Sequence, residues 1–162
     1  MSTAEADTGL TPEDVSAVHE LAGRYEDKRA ACIEALMAVQ RRHRWISDRR
    51  LREIAALLDM APDELDGVAT FYNLIFRRPV GRHVIMLCDS VSCWLMGHDA
   101  LLKALEQRLG IARGETSADG RFTLLPIVCL GHCDHAPALL IDEDLHGDVE
   151  PQNLDALLAG YR

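Results

Sequence analysis

Hydrophobic positions recur at helical spacing through the first half of the chain, and they predict four helices there. The first helix begins at Thr11, a favourable N-cap followed by Pro12, and ends near Gly23. The second spans about residues 27–43, and its core-facing side comprises Cys32, Leu36, Val39 and Met37. Cys32 is predicted to be a small buried hydrophobe and not a ligand.

A third helix starts at its N-cap, Ser47, and its apolar face comprises Leu51, Ile54, Ala55 and Leu58. A fourth helix begins at Ala61 after a short turn. Two helices joined by a turn also outline a DNA-binding helix-turn-helix. The fourth helix opens with carboxylates at Asp63, Glu64 and Asp66, which would repel phosphates, and this argues against DNA binding.

The second half of the chain has the pattern of an α/β unit. Its predicted elements are a strand at 83–87, a helix at 98–109, strands at 122–128 and 138–141, a short strand after His146-Gly147 and a helix from Pro151. The first two strands lead directly to Cys88 and Cys129. Parallel pairing of these strands, joined by a right-handed crossover, would bring both cysteines to one edge of the sheet.

The segment Arg77-Arg-Pro-Val-Gly81 marks a boundary, so we expect a flexible tail at 1–10, a helical domain at 11–78 and a second domain at 79–162. The aromatic residues before the boundary are predicted to be core residues that join the two halves, with a partner anchor as the alternative: Phe71, Tyr72 and Phe76. The arginines between residues 41 and 52 are interpreted as a solvated helix end and turn, or else a docking surface for an acidic partner.

Four cysteines stand in two short pairs, Cys88-Asp-Ser-Val-Ser-Cys93 and Cys129-Leu-Gly-His-Cys133. Each iron of a [2Fe–2S] cluster takes two protein sulfurs, so two such pairs could hold the two irons. Structural zinc also uses four cysteines at similar spacings, and disulfide or thiol redox chemistry is a third interpretation. A thioredoxin-type thiol pair usually needs C-x2-C, which is absent. The spacing by itself leaves iron–sulfur, zinc and redox chemistry open.

The residues around the pairs add detail to this picture. Gly97 and Gly131 permit tight backbone close to a cluster. The nearby histidines are predicted to have surface or hydrogen-bonding roles: His98, His132 and His135. The cysteine loops themselves supply no Lys or Arg.

Composition excludes several classes of protein. The net charge is −9, and residues 81–162, with 6 basic and 12 acidic side chains, account for −6 of it. This acidity disfavours a nucleic-acid partner. No apolar run reaches about 18 residues, so no membrane insertion is expected. The polar, acidic N-terminus does not look like a signal peptide, and we expect a cytoplasmic protein with reduced thiols.

Beyond the two cysteine pairs, three segments complete a resemblance to the thioredoxin-like [2Fe–2S] subunits of bacterial respiratory complex I, the NADH:quinone oxidoreductase: Val68-Ala-Thr-Phe-Tyr72, Gly81-Arg-His-Val84 and Phe122-Thr-Leu-Leu-Pro126. Both cysteine spacings match, as does the Ala-Pro that ends at Pro137, where thioredoxin folds often place a cis-proline. The resemblance implies an α+β (α/β) chain, with an N-terminal helical bundle followed by a thioredoxin-like ferredoxin domain. One [2Fe–2S] cluster would be bound by Cys88, Cys93, Cys129 and Cys133.

The function that the resemblance implies is one-electron transfer within the NADH dehydrogenase module. The partners would be an FMN- and NADH-binding subunit, with which the cluster exchanges an electron, and a neighbouring iron–sulfur subunit. The assembly would hold the chain on the cytoplasmic side of the inner membrane. No G-x-G-x-x-G fingerprint is present, so hydride chemistry belongs to a partner, and no catalytic residue is assigned. Acidic, all-thiolate surroundings predict a low potential, on the order of −400 mV. The alternatives are the equivalent diaphorase subunit of an NAD-linked hydrogenase or formate dehydrogenase, and a zinc-stabilised interaction module.

Overall fold

The computed structural model of the chain describes residues 9–162, so most of the predicted tail lies outside the described residues. The described residues form two compact units that divide between Pro79 and Val80. Within residues 9–162, no helix combines the length and the apolar character needed to cross a membrane.

The first unit, residues 9–79, consists of four α-helices: α1 (Pro12–Ala22), α2 (Cys32–His43), α3 (Asp48–Leu57) and α4 (Pro62–Phe71). The second predicted helix begins as a 3₁₀ turn, Lys28–Ala31, capped by Asp27. The helices enclose a core whose largest fully buried side chains are Leu36, Ile46, Ile54, Leu58 and Leu65. Cys32 is partly buried against this core.

Local hydrogen bonds explain why two of these helices start where they do. Thr11 and Asp14 form a capping box, in which each side chain accepts a hydrogen bond from the backbone of the other. Ser47 caps α3 by accepting from the backbone N–H of Arg50 at 3.1 Å. Both predicted N-caps are confirmed, as is the end of α1 at Gly23.

Two residues assigned to the tail, Gly9 and Leu10, pack on α3. The backbone N–H of Leu10 donates to Glu53 at 2.6 Å, and the Arg50 side chain donates to the Gly9 carbonyl at 3.3 Å. Arg50 is buried. The interpretation of the arginine cluster as solvated is therefore wrong for this residue, because the N-terminal segment covers it.

The aromatic residues after α4 do not behave as core residues. Phe71 is 79% exposed and Tyr72 41% exposed, and their rings meet edge to face at 5.3 Å. The buried face of α4 passes through Leu65 and Ala69, one helical turn apart. Phe71 lies two residues beyond Ala69, which turns its side chain away from that face. The core prediction is wrong for Phe71 and Tyr72, whereas Phe76 is partly buried.

The second unit, residues 80–162, is built on a four-stranded sheet in the order β2-β1-β3-β4. The strands are β1 (His83–Cys88), β2 (Phe122–Ile127), β3 (Leu139–Ile141) and β4 (Asp144–His146). β1 pairs parallel with β2 and antiparallel with β3, which pairs antiparallel with β4. The fourth strand ends at His146 instead of following it, because a tight turn at Asp142, with φ of 54°, joins it directly to β3.

Three helices complete this unit: α5 (Val91–Leu95), α6 (His98–Leu109) and α7 (Leu154–Ala159). α6 has the predicted bounds and ends at Gly110, which adopts a left-handed conformation with φ of 67°. A 3₁₀ turn, Pro151–Asn153, precedes α7. The core between helices and sheet is aliphatic, with Leu101, Leu105, Leu124, Leu139 and Ile141 fully buried.

Candidate metal centre

The two cysteine pairs lie at the carboxyl edge of the two parallel strands. Cys88 is the last residue of β1 and is in register with Ile127, the last residue of β2. The backbone N–H of Asp89 donates to the Ile127 carbonyl at 2.8 Å. Cys129 follows only two residues after Ile127. The predicted parallel pairing is confirmed, and it places the starts of both cysteine loops side by side.

The first cysteine loop turns back through α5, a helix that sequence reasoning missed. Its first turn is closed by the Trp94 N–H, which donates to the Ser90 carbonyl at 2.8 Å. The turn directs Cys93 inward, so that Cys88 and Cys93 are each only 2% exposed and pack with Ala136. A helix of five residues is too short for a hydrophobic period to be detected in the sequence.

The second cysteine loop is open to solvent and is shaped by a glycine. Gly131 has φ of 77°, and its backbone N–H donates to the Cys129 sulfur at 3.4 Å. Cys133 begins a 3₁₀ turn, Cys133–His135, and its sulfur lies 3.4 Å from that of Cys129. The Ala136–Pro137 peptide bond that follows is cis. Gly97, at the end of the first loop, also has a positive φ, 111°.

The environments of the thiols differ between the two loops. Burial raises the pKa of the Cys88 thiol to about 11, although the Leu130 N–H lowers it in part. The Gly131 N–H lowers the pKa of Cys129, helped by a hydrogen bond from Cys133, and that same bond raises the pKa of Cys133. The neighbouring thiols Cys93 and Cys129 also raise the pKa of Cys88, and Cys93 raises that of Cys133. The structure therefore brings all four thiols into one group, in which positive metal ions would relieve the repulsion between thiolates.

The donor set fits a dinuclear cluster. All five cysteines fall within the described residues and are free. Two thiolates on one tetrahedral metal, with bonds of about 2.3 Å, stand about 3.8 Å apart. The 3.4 Å separation of Cys129 and Cys133 is close to this value. Each iron of a [2Fe–2S] cluster takes a pair of protein sulfurs, whereas structural zinc takes four ligands around one ion.

Polar residues around the cysteines are paired with one another. His135 is hydrogen-bonded to Asp148 at 2.6 Å, which raises the pKa of His135, and its ring stacks on His132. His98 is buried at the start of α6. These contacts agree with the predicted hydrogen-bonding roles. Sequence reasoning did not find Arg113, which lies 24 positions from Asp89 and forms an ion pair with it at 3.1 Å. No local pattern in the sequence marks that contact.

An exposed apolar surface borders the cysteines and was also not predicted. It consists of α5 residues, the residue that follows α5 and the residue before Cys129: Val91, Trp94, Leu95, Met96 and Val128. Leu95 is 70% exposed and Trp94 59% exposed. We call this surface the apolar rim. Clustered exposed apolar side chains are typical of interaction surfaces.

Comparison with known proteins gives consistent results. Residues 18–162 match the family described as Thioredoxin-like [2Fe-2S] ferredoxin. The chain is 48% identical to the E subunit of NADH-quinone oxidoreductase from Pseudomonas aeruginosa over 152 residues, which covers 94% of this chain and 92% of that protein. It is 46% identical to the corresponding E subunit from Escherichia coli K12 over 153 residues, again covering 94% and 92%.

A solved structure extends the likeness to a second kind of complex. An NAD+-reducing [NiFe]-hydrogenase in the air-oxidized state has a chain that is 26% identical, with a TM-score of 0.64. The alignment covers 85% of this chain but only 24% of the hydrogenase chain. From the family match and the likeness to the E subunits over nearly their whole length, we conclude that this chain belongs to the thioredoxin-like [2Fe–2S] ferredoxin family and to the subunits of NADH-quinone oxidoreductase within it.

Proposed function

We propose that this chain holds one [2Fe–2S] cluster on Cys88, Cys93, Cys129 and Cys133 and carries single electrons within the NADH dehydrogenase module of NADH:quinone oxidoreductase. The observation that carries the proposal is the grouping of four free thiols, in two pairs, at the carboxyl edge of parallel strands. The 46–48% identity to the E subunits of that complex over 94% of the chain supports the choice of complex. When bound, such a cluster takes up and releases one electron.

The role of the polypeptide is to position and shield these ligands. The buried pair, Cys88 and Cys93, closes one side of the site against water. The exposed pair, Cys129 and Cys133, is accessible to solvent. The backbone N–H groups of Gly131 and Leu130 point at ligand sulfurs and stabilise negative charge there. The acidic surroundings favour the oxidised form, and we expect a potential on the order of −400 mV.

The electron partner is proposed to be an FMN- and NADH-binding subunit, because this chain has no dinucleotide fingerprint. The apolar rim supports a protein partner at the cluster, since its side chains are close in sequence to the proposed ligands Cys93 and Cys129 and are exposed. A neighbouring iron–sulfur subunit is the second proposed partner. Through these contacts the chain would be held peripherally on the cytoplasmic side of the bacterial inner membrane.

A second candidate has specific support. The likeness to a chain of an NAD+-reducing hydrogenase favours an equivalent diaphorase role in such a hydrogenase. The electron chemistry proposed for this chain is the same in both cases. The two candidates differ in the complex to which the flavoprotein partner belongs.

The deciding experiment is metal and acid-labile sulfide analysis of anaerobically purified protein, with EPR after dithionite reduction. Two irons and two sulfides per chain, with a rhombic S = 1/2 signal, are the expected result. One zinc per chain without visible absorbance would overturn the proposal in favour of a structural zinc module. Affinity purification of the chain from its host, followed by assays for NADH:quinone reductase, hydrogenase and formate dehydrogenase, then identifies the complex.

A further inference from the structure

We propose that Arg113 raises the reduction potential of the cluster by balancing negative charge beside the first cysteine loop. This inference rests on the proposed function, because it requires a [2Fe–2S] cluster on the four cysteines. Residues 88–97 and 127–137, which contain all four cysteines, include Asp89 and Asp134 but no Lys or Arg. Arg113 comes from a different segment and donates through Nη1 to Asp89 Oδ2 at 3.1 Å. It therefore places a positive charge where the cysteine loops have none.

The backbone around Arg113 is fixed to the scaffold of the unit. Its N–H donates to the side chain of Glu106 on α6 at 3.1 Å. The next residue, Gly114, donates its N–H to the Leu124 carbonyl of β2 at 2.7 Å. The Leu124 N–H in turn donates to the Glu115 carbonyl at 3.1 Å. The arginine therefore extends from a backbone segment that is hydrogen-bonded along the outer edge of β2.

The other partner of the ion pair is equally well placed. Asp89 follows Cys88 directly, and its N–H is bound to the Ile127 carbonyl. The carboxylate is thus held next to a proposed ligand, and the guanidinium is held next to the carboxylate. The side chains of Arg113 and Asp89 are 45% and 48% exposed, so solvent and salt screen both charges.

These positions predict that Arg113 and Asp89 have opposite effects on the reduction potential of the cluster. Reduction adds one negative charge to the cluster, so a neighbouring positive charge favours the reduced form and a neighbouring negative charge opposes it. For a neighbouring charge that is partly exposed to solvent, the ratio of oxidised to reduced cluster should change about threefold. If Arg113 only held the loop in shape, loss of either partner would have the same consequence.

The test compares R113Q, D89N and the double variant with wild type by redox titration of the cluster-loaded protein, followed by EPR. R113Q should raise the ratio of oxidised to reduced cluster about threefold at the wild-type midpoint, a shift of about 28 mV downward. D89N should shift the potential upward by a similar factor, and the double variant should return close to wild type. All differences should shrink in high salt.

The matched control is R82Q, because Arg82 is exposed and precedes β1, at the opposite end of the strand from Cys88. It removes the same charge about 20 Å away along an extended strand and should leave the potential unchanged. A conservative variant, R113K, keeps the charge and should also keep the wild-type potential. It serves as the second readout if R113Q does not retain the cluster. The cluster-free variants should unfold at the wild-type urea midpoint, since exposed ion pairs stabilise little.

Three results would overturn the inference: unchanged potentials, shifts of R113Q and D89N in the same direction, or a shift in R113K as large as that expected for R113Q. If wild-type protein contained no iron and sulfide, that result would contradict the proposed function itself and not only the role of Arg113. Metal analysis precedes each titration, so the two failures are distinguished.

Discussion

Replacing Gly131 by alanine should destabilise the second cysteine loop, whereas the same substitution at Gly67 should stabilise the helical unit. A Cβ atom built at either position meets no other atom within 4 Å, so neither substitution creates a steric clash. The two sites differ in backbone conformation. Gly131 has φ of 77°, in the left-handed region, while Gly67 lies inside α4. The pair therefore isolates the effect of the backbone from that of packing.

The magnitudes follow from the two conformations. Holding an L-residue in the left-handed region costs about 1–2 kcal/mol relative to glycine. In a helix interior, alanine is favoured over glycine by about 0.8–1 kcal/mol. Gly131→Ala should therefore lower the local free energy of unfolding by about 1–2 kcal/mol, and Gly67→Ala should raise it by about 1 kcal/mol.

Hydrogen exchange read by mass spectrometry across a urea series can measure both changes, because it resolves the stability of individual peptides. The relevant peptides cover residues 127–141 and 62–71. Wild-type protein and each variant would be compared without metal, and then with the cluster loaded. Faster loss of iron from Gly131→Ala is the expected companion result, since the strained loop carries Cys129 and Cys133. Unchanged exchange in residues 127–141 would refute the backbone argument, as would destabilisation of both peptides by similar amounts.

Three further predictions concern other parts of the chain. Arg121 donates to the carbonyls of Leu158 and Tyr161 at the end of α7; Arg121→Ala should destabilise the second unit by about 2 kcal/mol in urea unfolding, and equal midpoints would contradict this. Burial raises the pKa of Asp14, but hydrogen bonds from His43 and Thr11 outweigh it and hold that pKa below its usual value. Wild type should therefore be more stable to unfolding than Asp14→Asn above about pH 4, and this difference in stability should be lost as the pH falls further. A pH-independent difference would rule out this linkage. Trp94→Ser in the apolar rim should weaken co-purification of the proposed flavoprotein partner at least tenfold without loss of iron, and undiminished capture would argue against docking there.

Local chemistry in the sequence determined many of the elements. Thr11 and Ser47 mark helix starts because their side chains accept hydrogen bonds from residues three positions along the chain. Gly110 marks the end of α6 because glycine, which has no Cβ, adopts a positive φ readily. The hydrophobic strands that lead to Cys88 and Cys129 indicated one sheet edge, because parallel strands end on the same side.

The sequence only partly determined the chemistry of the candidate metal centre. The spacing of the cysteine pairs was compatible with iron–sulfur, zinc and redox chemistry alike. The structure adds the arrangement of the thiols, with a buried pair on α5 and β1 and an exposed pair on the second loop. Such an arrangement depends on how two distant loops meet, and no short window of sequence records it.

Tertiary structure alone decided which hydrophobic residues are exposed and which charged residues pair with one another. Phe71 has a large hydrophobic side chain of the kind expected in a core. It is nevertheless exposed, because the buried face of α4 passes through other positions. α5 is too short to show a period, so the apolar rim that it presents could not be foreseen. The ion pair between Arg113 and Asp89 joins residues 24 positions apart. Caps and periodic faces arise from neighbours along the chain and can be predicted, whereas exposure and charge pairing arise from contacts that exist only once the chain has folded.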